Sequence, residues 1–179
     1  MIKTNALSLQ SLIRDVPDFP KKGIVFKDIT PLLASPNGLA MAVELLANPF
    51  RGQHVEAVVG AESRGFIFGT ALAQALSCGF VPVRKPGKLP AAKIALTYDL
   101  EYGQDTLEIH KDAIKPGTRC LMVDDLLATG GTMKACCDMV ERLGGDIVGI
   151  AVLIELSFLN GRERFAKYHL HSAIQYTAE

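Results

Sequence analysis

What this chain lacks narrows its class first. No window approaches the roughly 18 consecutive apolar residues that a membrane-spanning helix needs. The opening stretch MIKTNALSLQSLIRDVPDFP has no long apolar run, so no secretory signal is expected. Net charge is also missing, because 19 lysines and arginines balance 19 acids. A dedicated nucleic-acid binder normally carries a basic surplus, so neutrality argues against that class while leaving room for a local basic site. The four cysteines, Cys78, Cys120, Cys136 and Cys137, form no C-x-x-C pair and no zinc-like spacing with the histidines. Reduced, buried thiols in a cytoplasmic protein are expected. Neither G-x-x-x-x-G-K-[ST] nor G-x-G-x-x-G occurs, which excludes the P-loop and the dinucleotide fingerprint. There is no internal repeat, low-complexity run or interdomain linker, and 179 residues suit one domain spanning 1–179.

What remains reads as alternating strands and helices. Leu9, Leu12 and Ile13 stand at helical spacing within residues 7–15, with Ser8 as a candidate cap. PDFPKKGIVFKDITPLL, rich in proline, reads as a shaped loop with short extended pieces. Residues 38–50 read as a helix with Leu39, Val43, Leu46 and Ala47 on one face. From residue 55 the expected order is a strand (55–62), an apolar helix (65–77) and a strand (79–84). A hairpin follows (94–100 and 105–110, across EYGQ), then a strand (118–127), a helix (131–143), a strand (146–156) and a last strand near 168–176. DIVGIAVLIEL is almost wholly apolar, as a strand covered on both faces should be. The implied class is α/β, with a central, mostly parallel β-sheet flanked by helices. In such sheets ligands bind beyond the carboxyl ends of the strands.

The segment LMVDDLLATGGT (121–132) sits at such an end. Asp124 and Asp125 close an apolar strand, and two adjacent acids there are a poor choice for stability alone. Ala128, Thr129, Gly130, Gly131 and Thr132 then supply unobstructed amides and two hydroxyls at a helix start, where the helix dipole favours phosphate. Acids beside a phosphate cradle suit a sugar phosphate: carboxylates for ribose hydroxyls, the loop for the 5′-phosphate. In GAESRGF, Glu62, Ser63, Arg64 and Gly65 fall between a strand and a helix, and Arg64 has the fork for phosphate oxygens. RKPGKLPAAK (84–93) holds four basic residues and no acid, which suits an anionic ligand; on the residues alone a solvated loop reads equally well. Glu101 and Tyr102 stand at the hairpin tip, where a turn acid with no further role is the blander reading.

VDDLLATGGT resembles the PRPP-binding signature of the type I phosphoribosyltransferases, where PRPP is phosphoribosyl pyrophosphate. Taken with PDFPKKGIVFKDITPLL, GAESRGFIFG, VPVRKPGKLP and YDLEYGQDTLEIH, it resembles the adenine-specific branch, in the family's order over most of residues 17–145. The resemblance implies transfer of the 5-phosphoribosyl group of PRPP to adenine, giving AMP and pyrophosphate, with Mg²⁺ held mainly by substrate and water. It implies that Asp124, Asp125 and residues 128–132 hold ribose and phosphate. Glu62, Ser63, Arg64, Arg84, Lys85 and Lys88 are implied to hold pyrophosphate. A hood within residues 1–35 is implied to cover the purine, with Val25 and Phe26 against the ring, backbone near Lys27 reading its edge, and Leu156 on the other face. Relatives often carry Arg where this chain has Lys27, which keeps the charge and loses the planar fork. A flexible loop and hairpin over about 84–110 is implied to carry Glu101 as general acid/base near N7 of the purine, with Tyr102 shielding the reacting centre. A homodimer is implied, with the basic loop partly shared across it. Three other readings stay open from the residues: a 6-oxopurine phosphoribosyltransferase, an inactive paralogue used structurally, and a non-catalytic sensor of PRPP or a purine. The last usually carries a DNA-binding module, and no recognition-helix pattern precedes the first sheet strand.

Overall fold

The structure is a computed structural model that describes residues 9–100 and 103–178. Its centre is a five-stranded parallel sheet built from β3 (Ala57–Ala61), β4 (Gly79–Val83), β7 (Arg119–Leu127), β8 (Asp146–Leu156) and β9 (Leu170–Tyr176), in the order β4-β3-β7-β8-β9. Each inner strand divides its side chains between two layers by the two-residue period of a pleated chain. Val59, Met122 and Val152 enter one core with Met133, Cys136 and Val140, whereas Val58, Leu121, Val123, Ala151 and Leu153 enter the other with Phe68, Leu72 and Leu46. Both faces of β8 are therefore covered, as its unbroken apolar run implies.

Helices supply the layers on both faces. α1 (Thr30–Ala34) and α2 (Pro36–Ala47) pack on the second face with α3 (Gly65–Ala75), and α4 (Gly131–Arg142) lies on the first. The Ser35 hydroxyl accepts from the Gly38 amide at 3.1 Å, and Pro36 takes the first helical position, where its missing donor costs nothing. The second helix thus starts two residues before its expected boundary and ends at Ala47, with 48–50 forming a 3₁₀ turn.

The N-terminal region corrects the sequence reading in two places. Helical spacing over 7–15 extends only through Leu9 and Gln10 among the described residues; Ser8, the candidate cap, lies outside them. β1 (Arg14–Val16) pairs antiparallel with β2 (Phe26–Asp28) instead. The long-range partner outweighs a local period only two turns long. TPLLA, taken as loop, is the helix α1, with proline in its first turn and Leu32 fully buried. β5 (Lys93–Leu100) and β6 (Gly103–His110) form the hairpin, and their register continues to Leu100 opposite Gly103. The second strand thus starts two residues before its expected boundary; Glu101 and Tyr102 lie outside the described residues. An antiparallel bridge between Arg84 and Glu108 ties the hairpin to the end of β4.

Candidate active site

At the carboxyl end of the sheet lies a cavity of about 350 Å³. Its walls are the turn after β3 (Glu62, Ser63, Arg64), the end of β7 with both acids, and the loop 128–132 leading into α4. The segments 62–64 and 124–132 are more than fifty residues apart in sequence, and the parallel pairing of β3 with β7 brings their ends together.

The two acids have different surroundings. Asp125 is 4% exposed, and its Oδ2 lies 2.8 Å from Arg64 Nε. That N–H is not aimed at the oxygen, so Asp125 Oδ2 is buried with accepting capacity left open. Asp124, half-buried, accepts from the Asp125 amide through Oδ1 at 2.9 Å. Burial and the neighbouring Asp125 charge push the Asp124 carboxyl well above its ordinary range. Burial raises Asp125 too, against the pull of the Arg64 guanidinium. Two crowded carboxylates with an unused oxygen suit a ligand rich in hydroxyl donors, or a cation.

The loop beside them presents backbone amides at a helix start, a geometry that can hold an anion. Gly130 caps α4 with φ +83°, a left-handed conformation that L side chains rarely adopt. The first amides of a helix have no partner within it, and no acid of the chain occupies the first turn of α4. Thr132 meets the hairpin through its hydroxyl, 3.2 Å from Tyr98 Oη.

The basic residues divide. Arg84 Nε donates to Glu62 Oε2 at 2.5 Å, joining the basic loop to the turn after β3, whose Glu62–Ser63 peptide is cis. Burial works to raise the Glu62 carboxyl, yet the Arg84 bond, the Lys85 amide and the Arg84 and Lys88 charges hold it below its ordinary value. Lys85 pairs with Asp105 of β6 at 2.9 Å, which lowers the Asp105 carboxyl. Lys88 is exposed.

The hood segment reaches the cavity wall at Arg64. The Phe26 ring lies 5.0 Å from the Arg64 guanidinium carbon and packs edge-on against Phe19. Val25 is half-buried. Lys27 turns away: only 4% exposed, it donates from Nζ to Asp15 at 2.8 Å and sits 4.3 Å from the Tyr176 ring centre. Its ammonium is engaged within the protein, so only its backbone remains for a base. Leu156 is half-buried at the end of β8, opposite Tyr176.

Sequence reasoning passed over several contributors. Leu126, Leu127 and Met133 line the cavity from within the quoted signature and its flank. Gly161 and Phe165 back the cradle from thirty residues downstream: a Cβ on Gly161 would stand 2.0 Å from the Ala128 carbonyl oxygen. No local signal could have paired those positions, since only the register of β7, β8 and β9 brings them together.

Comparison with known proteins agrees with this geometry. The phosphoribosyl transferase domain family matches residues 28–175. The adenine phosphoribosyltransferase of Acidobacterium capsulatum is 57% identical over 173 residues, covering 97% of this chain and 96% of that protein. The crystal structure of the Thermoanaerobacter pseudethanolicus adenine phosphoribosyltransferase superposes with a TM-score of 0.93 at 50% identity, covering 96% of this chain and 99% of that one. The Saccharomyces cerevisiae enzyme, solved with an imino-altritol bisphosphate and adenine, gives 0.90 at 38% identity, covering 96% of this chain and 99% of that one. Cavity, cradle and likeness together mean that this chain belongs to the phosphoribosyltransferase family, in its adenine phosphoribosyltransferase branch.

Proposed function

We infer that the chain transfers the 5-phosphoribosyl group of PRPP to adenine, releasing pyrophosphate and forming AMP, as a purine-salvage enzyme. The observation that carries this reading is the pairing, in one cavity, of two crowded carboxylates with a cradle closed by a left-handed glycine. A sugar phosphate supplies what each half lacks: hydroxyl donors for Asp124 and Asp125, and a dianion for the amides and hydroxyls of residues 128–132. The yeast relative, holding a bisphosphorylated sugar analogue and adenine together, supports the same assignment of substrates.

In the reaction the bond from the anomeric carbon to pyrophosphate breaks as the bond to adenine N9 forms. Positive charge develops on the ribose ring and negative charge on the leaving group. The protein's part is positioning and electrostatic stabilisation. Ser63 and Arg64 lie beside the acids, and Glu62 holds Arg84 toward the same turn, so these residues with Lys85 and Lys88 receive pyrophosphate. Phe26, already against Arg64, offers its ring to adenine with Val25, while Leu156 takes the opposite face. Backbone near Lys27 reads the base edge, which separates a 6-amino from a 6-oxo purine by leaving a buried polar atom unpaired in the wrong complex. Glu101 acts as acid/base near N7 and Tyr102 covers the centre, carried there by the hairpin.

Mg²⁺ supplies neutralisation of the pyrophosphate charge when bound. The open oxygen of buried Asp125 and the Asp124 carboxylate are hard donors that suit the ion or its waters. Two carboxylates alone would not satisfy the ion, so PRPP and water would provide the remaining oxygens. The working unit is a homodimer of one-domain subunits in the cytoplasm. No helix among the described residues is long and apolar enough to cross a membrane.

The test is an assay of purified protein with PRPP, Mg²⁺ and, separately, adenine, hypoxanthine, guanine and xanthine. AMP from adenine alone is expected. Product from a 6-oxopurine overturns the hood reading and keeps the PRPP site. Binding of PRPP without product from any base overturns the enzyme reading in favour of a sensor.

A further inference from the structure

Outside the cavity, a densely hydrogen-bonded polar cluster lies just behind the cradle. Glu155, on β8, is 3% exposed and stands in register with Leu127, the residue before Ala128. Arg162 grips it with two parallel bonds, from Nε to Oε1 at 2.9 Å and from Nη2 to Oε2 at 2.5 Å. The same guanidinium donates from Nη1 to the Leu170 carbonyl at 3.0 Å and from Nη2 to Ser172 Oγ at 3.1 Å. Ser172 and Gln175 donate in turn to Glu155 Oε2 at 2.7 and 3.2 Å. One side chain thus ties the segment Gly161–Phe165 to both β8 and β9. Burial alone would raise the Glu155 carboxyl, and these donors hold it below its ordinary value.

That segment is the floor of the cradle. A methyl on Gly161 would overlap the Ala128 carbonyl oxygen at 2.0 Å, so the two backbones touch. Gly130, the left-handed cap, has the buried Phe165 ring 2.8 Å and the Gly161 carbonyl oxygen 3.2 Å from where its Cβ would be. Displacement of 161–165 by a fraction of an ångström therefore moves the carbonyl of 128 or the cap at 130. Arg162 and Glu155 do not line the cavity.

We propose that Arg162 and Glu155 are positioning residues for the sugar-phosphate cradle: their bidentate pair clamps Gly161–Phe165 against residues 128–130 and sets the loop in its anion-binding shape before substrate arrives. The proposal rests on the reading of residues 128–132 as the 5′-phosphate site. Planarity matters here as well as charge. A guanidinium can hold two carboxylate oxygens, a carbonyl and a hydroxyl at once, whereas a lysine ammonium at the same place meets only part of that set. An ion pair with one buried partner, Glu155, and one exposed partner, Arg162, is weak evidence for a stabilising role, and its aim at a backbone contact under the cradle is what gives this one a functional consequence.

The experiment compares Arg162→Gln, Arg162→Lys and Ser172→Ala with the parent protein, each first checked for native circular dichroism. Steady-state constants are measured for PRPP and for adenine, with AMP and adenine binding by calorimetry. The expected result is a tenfold or greater rise in KM for PRPP and an equal weakening of AMP in Arg162→Gln, with adenine affinity within twofold. Arg162→Lys should recover part of the loss, and Ser172→Ala should show a smaller shift of the same kind. If Arg162→Gln does not fold, the other two carry the test. Unchanged PRPP and AMP constants overturn the proposal, as does equal weakening of AMP and adenine, which would mean a merely structural role. Thr129→Ala separates the two levels: if it leaves KM for PRPP unchanged, the cradle reading fails and takes the proposal with it. If it raises KM while the Arg162 variants do not, the cradle stands and the clamp alone is wrong.

Discussion

At the scale of single residues, the cavity holds two acids that the empty protein would be more stable without. Asp124 is pushed well above its ordinary range by burial and by Asp125. An acid whose folded-state pKa is raised contributes stability that is full below its unfolded value and lost as pH rises through the folded one. At neutral pH the crowded pair therefore costs stability. Asp124→Asn removes the charge while its amide oxygen can still accept from the Asp125 amide. We expect the empty variant to melt about 2–4 °C higher at pH 7, for a gain of about 1 kcal/mol. Loss of charge-assisted bonds to ribose, roughly 1.5–3 kcal/mol each, should cut kcat/KM for PRPP by about 10–150-fold. Calorimetric melting and initial rates check the two halves; a variant that melts lower with PRPP use intact contradicts both.

At the scale of elements, a hydroxyl–hydroxyl hydrogen bond joins the hairpin to the cradle, between Tyr98 of β5 and Thr132 at the start of α4. Tyr98 also packs on the core of that face, where burial raises its phenol. Tyr98→Phe should keep the packing and remove the hydroxyl, at a cost of about 0.5–1.5 kcal/mol. Amides of 93–100 and 103–110 should exchange faster with solvent while the central strands are unaffected, and turnover should fall more than adenine affinity. Uniform protection across the hairpin would show the contact to be dispensable. The hairpin strands, the strand 146–156 and the helix over 131–142 were legible in the sequence because each carries a strong local signal: alternation in the hairpin, an unbroken apolar run in 146–156 and a helical stripe in the helix. The β1–β2 pair and the helix over TPLLA were not, because short segments there take their form from distant partners.

Across the whole molecule, opposing shifts set the pH dependence. Glu62, Asp105, Glu141 and Glu155 are held below their ordinary values by cationic partners and hydrogen bonds. Such groups contribute stability above their unfolded values, near roughly 4, which is lost as pH falls through the folded ones. Asp124 and Asp125 act in the other direction and penalise the fold as pH rises. The melting temperature of the empty protein should therefore peak on the mildly acid side of neutrality and fall steeply below about pH 4. AMP with Mg²⁺ should stabilise it most above the peak, where the acids are charged. A melting profile of Asp124→Asn flattened on the alkaline limb alone would bear out the assignment, and an unchanged limb would refute it.

The sequence by itself determined the class and the chemistry. Apolar runs of strand length between helical stripes require a covered parallel sheet, and VDDLLATGGT places acids and a phosphate-ready loop at a strand end. Those signals lie within a dozen residues, where period and residue type suffice. Tertiary structure alone decided what stands against the motif. It aimed Lys27 into Asp15 and Tyr176, set Arg64 between Asp125 and Phe26, and brought Gly161 and Phe165 under the cradle with Arg162 clamped to Glu155. The physical reason is range: contacts between strands far apart in the chain depend on register and on the thickness of the packed layers, and no local pattern encodes either.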